Sequence, residues 1–118
     1  MKIFGINFGK KVELKPEHAV IVNFDYGNST DLTRLFNLEE DLESALDGGL
    51  IGEYDGNEIA TDGSDGFLYL YGPDADALYN YIRPILLRHP FTNGARIKLR
   101  YGPPEDGVRV VKFILESD

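Results

Sequence analysis

Residues 66–90, GFLYLYGPDADALYNYIRPILLRHP, constrain the fold more than any other stretch. Phe67, Tyr69 and Tyr71 alternate with Leu68 and Leu70, which is the two-residue period of a strand with two different faces. Gly72 and Pro73 turn the chain. Asp74 then offers an N-cap oxygen, and Asp76 places a negative charge in the first helical turn. Ala75, Leu78, Ile82, Ile85 and Leu86 follow at helical spacing. A strand that feeds a helix through so short a turn is a βα unit, and its apolar stripe needs a sheet to pack on. Pro84 removes one backbone donor inside that helix and marks a place for a kink. His89-Pro90 stops it, with Arg83, Arg88 and His89 near its negative end.

The flanking sequence supplies the rest. Residues 1–14 carry Ile3, Phe4, Ile6, Phe8, Val12 and Leu14, a pattern that predicts one short strand or a hairpin through Gly9-Lys10. His18 to Tyr26, HAVIVNFDY, reads as a buried strand rich in Val and Ile. Ser29, Thr30 or Asp31 can cap a following helix that ends at Gly48-Gly49. Its Leu32, Leu35, Phe36, Leu42 and Leu46 lie near one face, while Glu39, Glu40, Asp41 and Glu43 make much of the other acidic. Leu50 to Ala60 predicts a strand interrupted at Asp55-Gly56 by a bulge or bend. Residues 61–66, TDGSDG, form a hairpin loop. Ala95 to Tyr101 alternates cleanly, and Val108 to Leu115 is the last strand after the turn at 102–107.

The order is βαββαβ with extra strand at one or both termini. That predicts an α+β two-layer sandwich of ferredoxin-like type, with both helices on one face of an antiparallel sheet. Residues 1–118 read as a single domain, because no linker, repeat or low-complexity stretch divides them. Seven Tyr and seven Phe supply large core side chains. No cysteine is present, which excludes disulfides, thiolate metal sites and cysteine nucleophiles and suits a reducing cytoplasm. The N-terminal residues hold no long apolar run, so neither a signal peptide nor a membrane span is expected.

Three strings resemble a family of small bacterial α/β proteins of no established activity: GEYDGNE at 52–58, YLYGPDADALYNYIRPIL at 69–86 and LRYGPP at 99–104. The resemblance covers about the C-terminal two-thirds of the chain. It implies an α/β sandwich and carries over no catalytic residue.

The chemistry-bearing candidates each have a plain structural counterpart. Glu53, Asp55, Asn57, Glu58, Asp62, Ser64 and Asp65 form the densest polar cluster, rich in the oxygen ligands that Ca²⁺ or Mg²⁺ prefer. Two of its carboxylates could also approach closely enough for hydrolytic acid–base work. The spacing does not match a calcium loop, and Asp and Gly are what turns select anyway, so no metal and no cofactor are expected. His18 begins a strand and His89 ends a helix, where a histidine more often caps than catalyses. No nucleophile elbow and no phosphate-binding glycine loop occurs.

The sharper candidate is the sheet face turned away from the helices. Phe67, Tyr69 and Tyr71 alternate onto it, and Arg96, Lys98 and Arg100 share it. Aromatics beside basic residues on a sheet are how some domains stack single-stranded RNA. Twelve Lys and Arg against 20 Asp and Glu give a net charge of −8, which argues against nucleic acid and anionic membrane and would attract a basic protein. The leading expectation is therefore a non-enzymatic protein-binding domain, an immunity or regulatory protein that masks a basic partner, or one that pairs with itself as a homodimer. A metal-dependent hydrolase using the Glu53–Asp65 cluster and a single-stranded nucleic-acid binder are the alternatives.

Overall fold

The computed structural model describes residues 17–117. The strand or hairpin expected over residues 1–14 lies outside them. The elements run in the order β1 (His18–Asp25), α1 (Thr33–Ala45), β2 (Glu53–Ile59), β3 (Asp65–Gly72), α2 (Ala75–Leu87), β4 (Arg96–Arg100) and β5 (Val110–Ile114). The strands form one sheet in the order β2-β3-β1-β4-β5, with every neighbouring pair antiparallel. Both helices pack on one face, giving a two-layer α+β sandwich.

Alternation sets the faces. Val20, Val22 and Phe24 of β1, Leu68 and Leu70 of β3, and Ile97 and Leu99 of β4 are buried under the helices. They meet Leu35, Leu38 and Leu42 of α1 and Ala75, Leu78, Ile82, Ile85 and Leu86 of α2 in one hydrophobic core. The stripe of α2 is therefore the one its spacing predicts. The phase of α1 differs from expectation: Leu38 is fully buried, whereas Phe36 is 56% exposed. Positions 35, 38 and 42 share one side of a 3.6-residue helix, and Phe36 lies about 100° round from Leu35.

Asp74 caps α2, its Oδ1 accepting from the Ala77 N–H at 3.1 Å. The α1 cap is displaced from expectation. Leu32 holds the cap position, while Asp31 Oδ1 accepts from the Thr33 N–H at 3.0 Å and the Thr33 hydroxyl at 2.7 Å. The α2 helix runs through Pro84 to Leu87. A short 3₁₀ turn, Pro90–Thr92, then closes its end, with the buried Thr92 hydroxyl donating to the Leu86 carbonyl at 2.6 Å.

The predicted interruption of β2 is a bulge between Tyr54 and Gly56. It carries structural weight because Tyr54 and Ile59, five positions apart, both pack against the core. Strict alternation would send one of them outward, and the extra residue restores the match. Gly56, at φ +115°, supplies the backbone this requires. Leu50 and Ile51 precede the strand and are exposed rather than part of it. Among the described residues, no helix is long and apolar enough to cross a membrane.

Candidate functional site

The sheet face opposite the helices is laid out by register. One row across the strands reads Glu53, Tyr71, Ala19, Arg100 and Val110. The next reads Gly56, Tyr69, Ile21, Lys98 and Lys112, and the third Glu58, Phe67, Asn23, Arg96 and Ile114. All six residues expected on this face, Phe67, Tyr69, Tyr71, Arg96, Lys98 and Arg100, stand on it and are half-buried. Aromatic and basic residues sit on strands separated by β1, and Arg100 reaches across it toward Tyr71. The face is graded: Glu53 and Glu58 on β2, aromatics on β3, Ala19, Ile21 and Asn23 on β1, bases on β4, and Lys112 between Val110 and Ile114 on β5.

The side chains are held in place. Tyr69 lies opposite Gly56, which has no side chain, and its hydroxyl leans diagonally to donate to Glu58 Oε1 at 2.5 Å. That hydrogen bond, followed by burial and the carboxylate charge, pushes the Tyr69 phenol up to about 12. Phe67 stacks on Tyr69 with ring centroids 6.1 Å apart. The Arg100 guanidinium lies 6.0 Å from the Tyr71 ring centroid, across Ala19. Arg100 also donates to the Gly102 carbonyl at 2.7 Å and the Glu17 carbonyl at 3.2 Å. Arg96 donates to Asn23 Oδ1 at 2.7 Å and Asp25 Oδ1 at 3.1 Å. Asn23 in turn donates to Asp65 Oδ2 and the Gly66 carbonyl. Among the described residues Lys98 and Lys112 have no carboxylate partner.

The acidic stretch divides between surroundings. Glu53 and Glu58 face the open side, and Asp55 sits at the bulge. Asn57 points to the helices and donates to Glu39 Oε2 at 2.7 Å, beside the Tyr54 hydroxyl, which donates to the same oxygen. Burial, then that hydrogen bond, pushes the Tyr54 phenol far above its usual range. Asp62 Oδ1 accepts from the Ser64 N–H at 2.9 Å within the hairpin turn, and its hydrogen bonds with Ser64 lower its carboxyl. Asp65 serves Asn23. Among the described residues, no three His, Cys, Asp or Glu side chains group closely enough to hold a metal ion.

The histidines are both structural tethers. His18 Nδ1 accepts from the Ala75 N–H at 3.0 Å, at the start of α2. His89 Nε2 lies 2.7 Å from Asp41 Oδ2 and links the end of α2 to α1. Two shallow, open depressions of about 220 and 240 Å³ lie at Glu58, Asp65 and Phe67 and at Leu87, His89 and Asn93. Both are smaller than the roughly 300–1,000 Å³ clefts that hold small ligands.

Ile21, Asn23, Val110, Lys112 and Ile114 belong to the same face and were not singled out from sequence. The alternation of Val110, Lys112 and Ile114 along β5 is the signal that could have placed them there. No protein-family model matches this chain, and neither the curated proteins nor the solved structures contain a match to it.

Proposed function

We propose that this chain is a non-enzymatic protein-binding domain. Its frame is a ferredoxin-like βαββαβ sheet with one strand added at the C-terminal end, and its docking surface is the open face of that sheet. The observation that carries the reading is the row Phe67, Tyr69 and Tyr71, half-buried and fixed on β3 between the acids of β2 and the bases of β4. Large amphipathic rings bring contact area at low entropic cost, and flanking charges of both signs set the orientation of a partner. The net charge of −8 suits a regulatory or immunity role in the cytoplasm, in which the domain masks a basic protein.

A single-stranded nucleic-acid platform is the second reading, supported by tyrosines and basic residues on one face. It is weaker because Glu53 and Glu58 border the aromatic row, and the Tyr69 hydroxyl is committed to Glu58. The hydrolase reading has less support again. It needs converging carboxylates, and Glu53 and Glu58 stand two rows apart on the open face, Asp55 sits at the bulge, Asp62 is held in the turn and Asp65 is bonded to Asn23.

A photo-reactive benzophenone side chain placed at position 71 tests the docking reading in the source cell. A discrete cross-linked protein adduct, absent when the same group is placed at the exposed position 36 on α1, is the expected result. Equal adducts from both positions, or none from position 71, would overturn it.

A further inference from the structure

We infer that the occupant of the open face is a second copy of this chain, related by a two-fold axis that runs along β1 between two facing sheets. This rests on the docking reading above and adds the identity of the partner. β1 is the central strand of five, so such an axis exchanges the two sides of the face. It lays β3 of one protomer over β4 of its partner, and β2 over β5. The rows coincide, because the axis leaves position along the strand unchanged. Tyr71 then meets Arg100 of the other copy, Tyr69 meets Lys98, and Phe67 meets Arg96, since each pair already shares a row within one protomer. Each is an aromatic ring under a cation. Lys112 of the other copy falls over Gly56, with Glu53 and Glu58 one row to either side, over Val110 and Ile114.

The gradient itself selects this arrangement. A face with Glu53 and Glu58 on one side of β1 and Arg96, Lys98, Arg100 and Lys112 on the other is complementary to its own copy turned about a strand-parallel axis. Turned about the perpendicular in-plane axis, it would lay acids on acids and bases on bases, which costs affinity. Lys98 and Lys112, which lack carboxylate partners within the described residues, gain ring and carboxylate partners in the dimer. The exposed Val110 and Ile114 are covered by β2.

Sedimentation velocity on the full chain, from about 5 to about 200 µM, tests this. The wild type should dimerise reversibly. Association should weaken as salt rises from about 0.05 to about 0.5 M, because the partly exposed charge pairs are screened. Tyr71→Asp and Lys98→Glu should each weaken dimerisation by about tenfold or more with unchanged far-UV circular dichroism. Lys112→Glu should weaken it too, and adding Glu53→Lys and Glu58→Lys to Lys112→Glu should restore it. Phe36→Asp, on the helix side, should leave it unchanged. A wild-type monomer at the highest concentration would overturn the inference, as would a dimer broken by Phe36→Asp but not by Lys98→Glu. A monomer that still cross-links through position 71 to a different protein would overturn the self-association and leave the docking surface standing. Salt-sensitive binding of mixed-sequence oligonucleotides through Tyr69 and Tyr71 would overturn both.

Discussion

Tyr69 donates its phenolic proton to Glu58 Oε1 at 2.5 Å, on the diagonal left open by Gly56. The hydrogen bond favours the neutral phenol, so its folded-state value rises to about 12 from the ordinary 10. A raised phenol stabilises the fold fully below the unfolded value, and the contribution is lost as pH climbs from about 10 toward 12. Several tyrosines of this chain are raised, Tyr54 further than Tyr69, so phenolate absorbance should show a component near 12 that is lost specifically in Tyr69→Phe. Glu58→Gln should bring it back toward 10. Identical titrations for wild type and Glu58→Gln would contradict the pairing.

The two helices bury different stripes, and substitutions should separate them. Leu78 and Ile82 are fully buried in the core, so Leu78→Ala or Ile82→Ala should each cost on the order of 2–5 kcal/mol. Leu38→Ala should fall in the same range. Phe36→Ala, at a surface position, should stay within about 0.5 kcal/mol. Urea denaturation of the four variants checks the rotational phase of α1 directly. A Phe36→Ala cost as large as that of Leu38→Ala would show the phase to be wrong.

That phase was the main part of the fold that sequence could not supply. In α2 every apolar residue of the stripe agrees with one face, so spacing suffices. In α1 Phe36 and Leu38 are both apolar on opposite sides, and pattern alone does not choose between them. The choice turns on Glu39, whose carboxylate receives Tyr54 and Asn57 from β2, contacts 15 and 18 positions away in sequence. The open face was legible in part. Alternation put Phe67, Tyr69 and Tyr71 opposite Leu68 and Leu70, and Arg96, Lys98 and Arg100 opposite Ile97 and Leu99. Which strands lie between those rows is a property of sheet order, so the central place of Ile21 and Asn23 emerged only with the pairing. The start of β2 was misplaced for a packing reason. At Gly52 an added Cβ would stand 2.6 Å from the Tyr71 carbonyl, and at Gly72 one would stand 2.5 Å from the Ile51 carbonyl. The chains cross there through glycine contact, and the apolar Leu50 and Ile51 remain outside the ladder.

Gly63 should be the least replaceable turn glycine. It has φ +71°, and an added Cβ would lie 2.0 Å from the Ser29 carbonyl oxygen. Here the β2–β3 hairpin docks on the turn after β1, with the Tyr26 N–H donating to the Ser64 carbonyl at 2.9 Å. Gly107, at φ +85°, has open space around it. Gly107→Ala should cost about 1–2 kcal/mol, the left-handed penalty alone. Gly63→Ala should cost clearly more, because backbone must also move. Thermal melts that rank the two equally would show that the hairpin yields without resistance.

His18 and Ala75 join the start of β1 to the start of α2 across 57 positions of sequence. A helix leaves its first N–H groups without intrahelical partners. Asp74 satisfies that of Ala77, and His18 Nδ1 satisfies that of Ala75. An accepting Nδ1 carries no proton, so the neutral ring holds its hydrogen on Nε2. Tyr101 packs edge-on against the ring with centroids 5.9 Å apart, and its hydroxyl donates to Asp76 at 2.6 Å in the same helical turn. Loss of the acceptor should cost what loss of a helix cap costs. His18→Ala is expected to lower stability by about 1 kcal/mol, and His18→Asn, whose side-chain oxygen can accept, should recover part of it. Nitrogen-15 NMR of the wild-type imidazole should report the Nε2–H tautomer. The opposite tautomer, together with an unaltered His18→Ala melt, would mean that the Ala75 N–H is served by something other than His18.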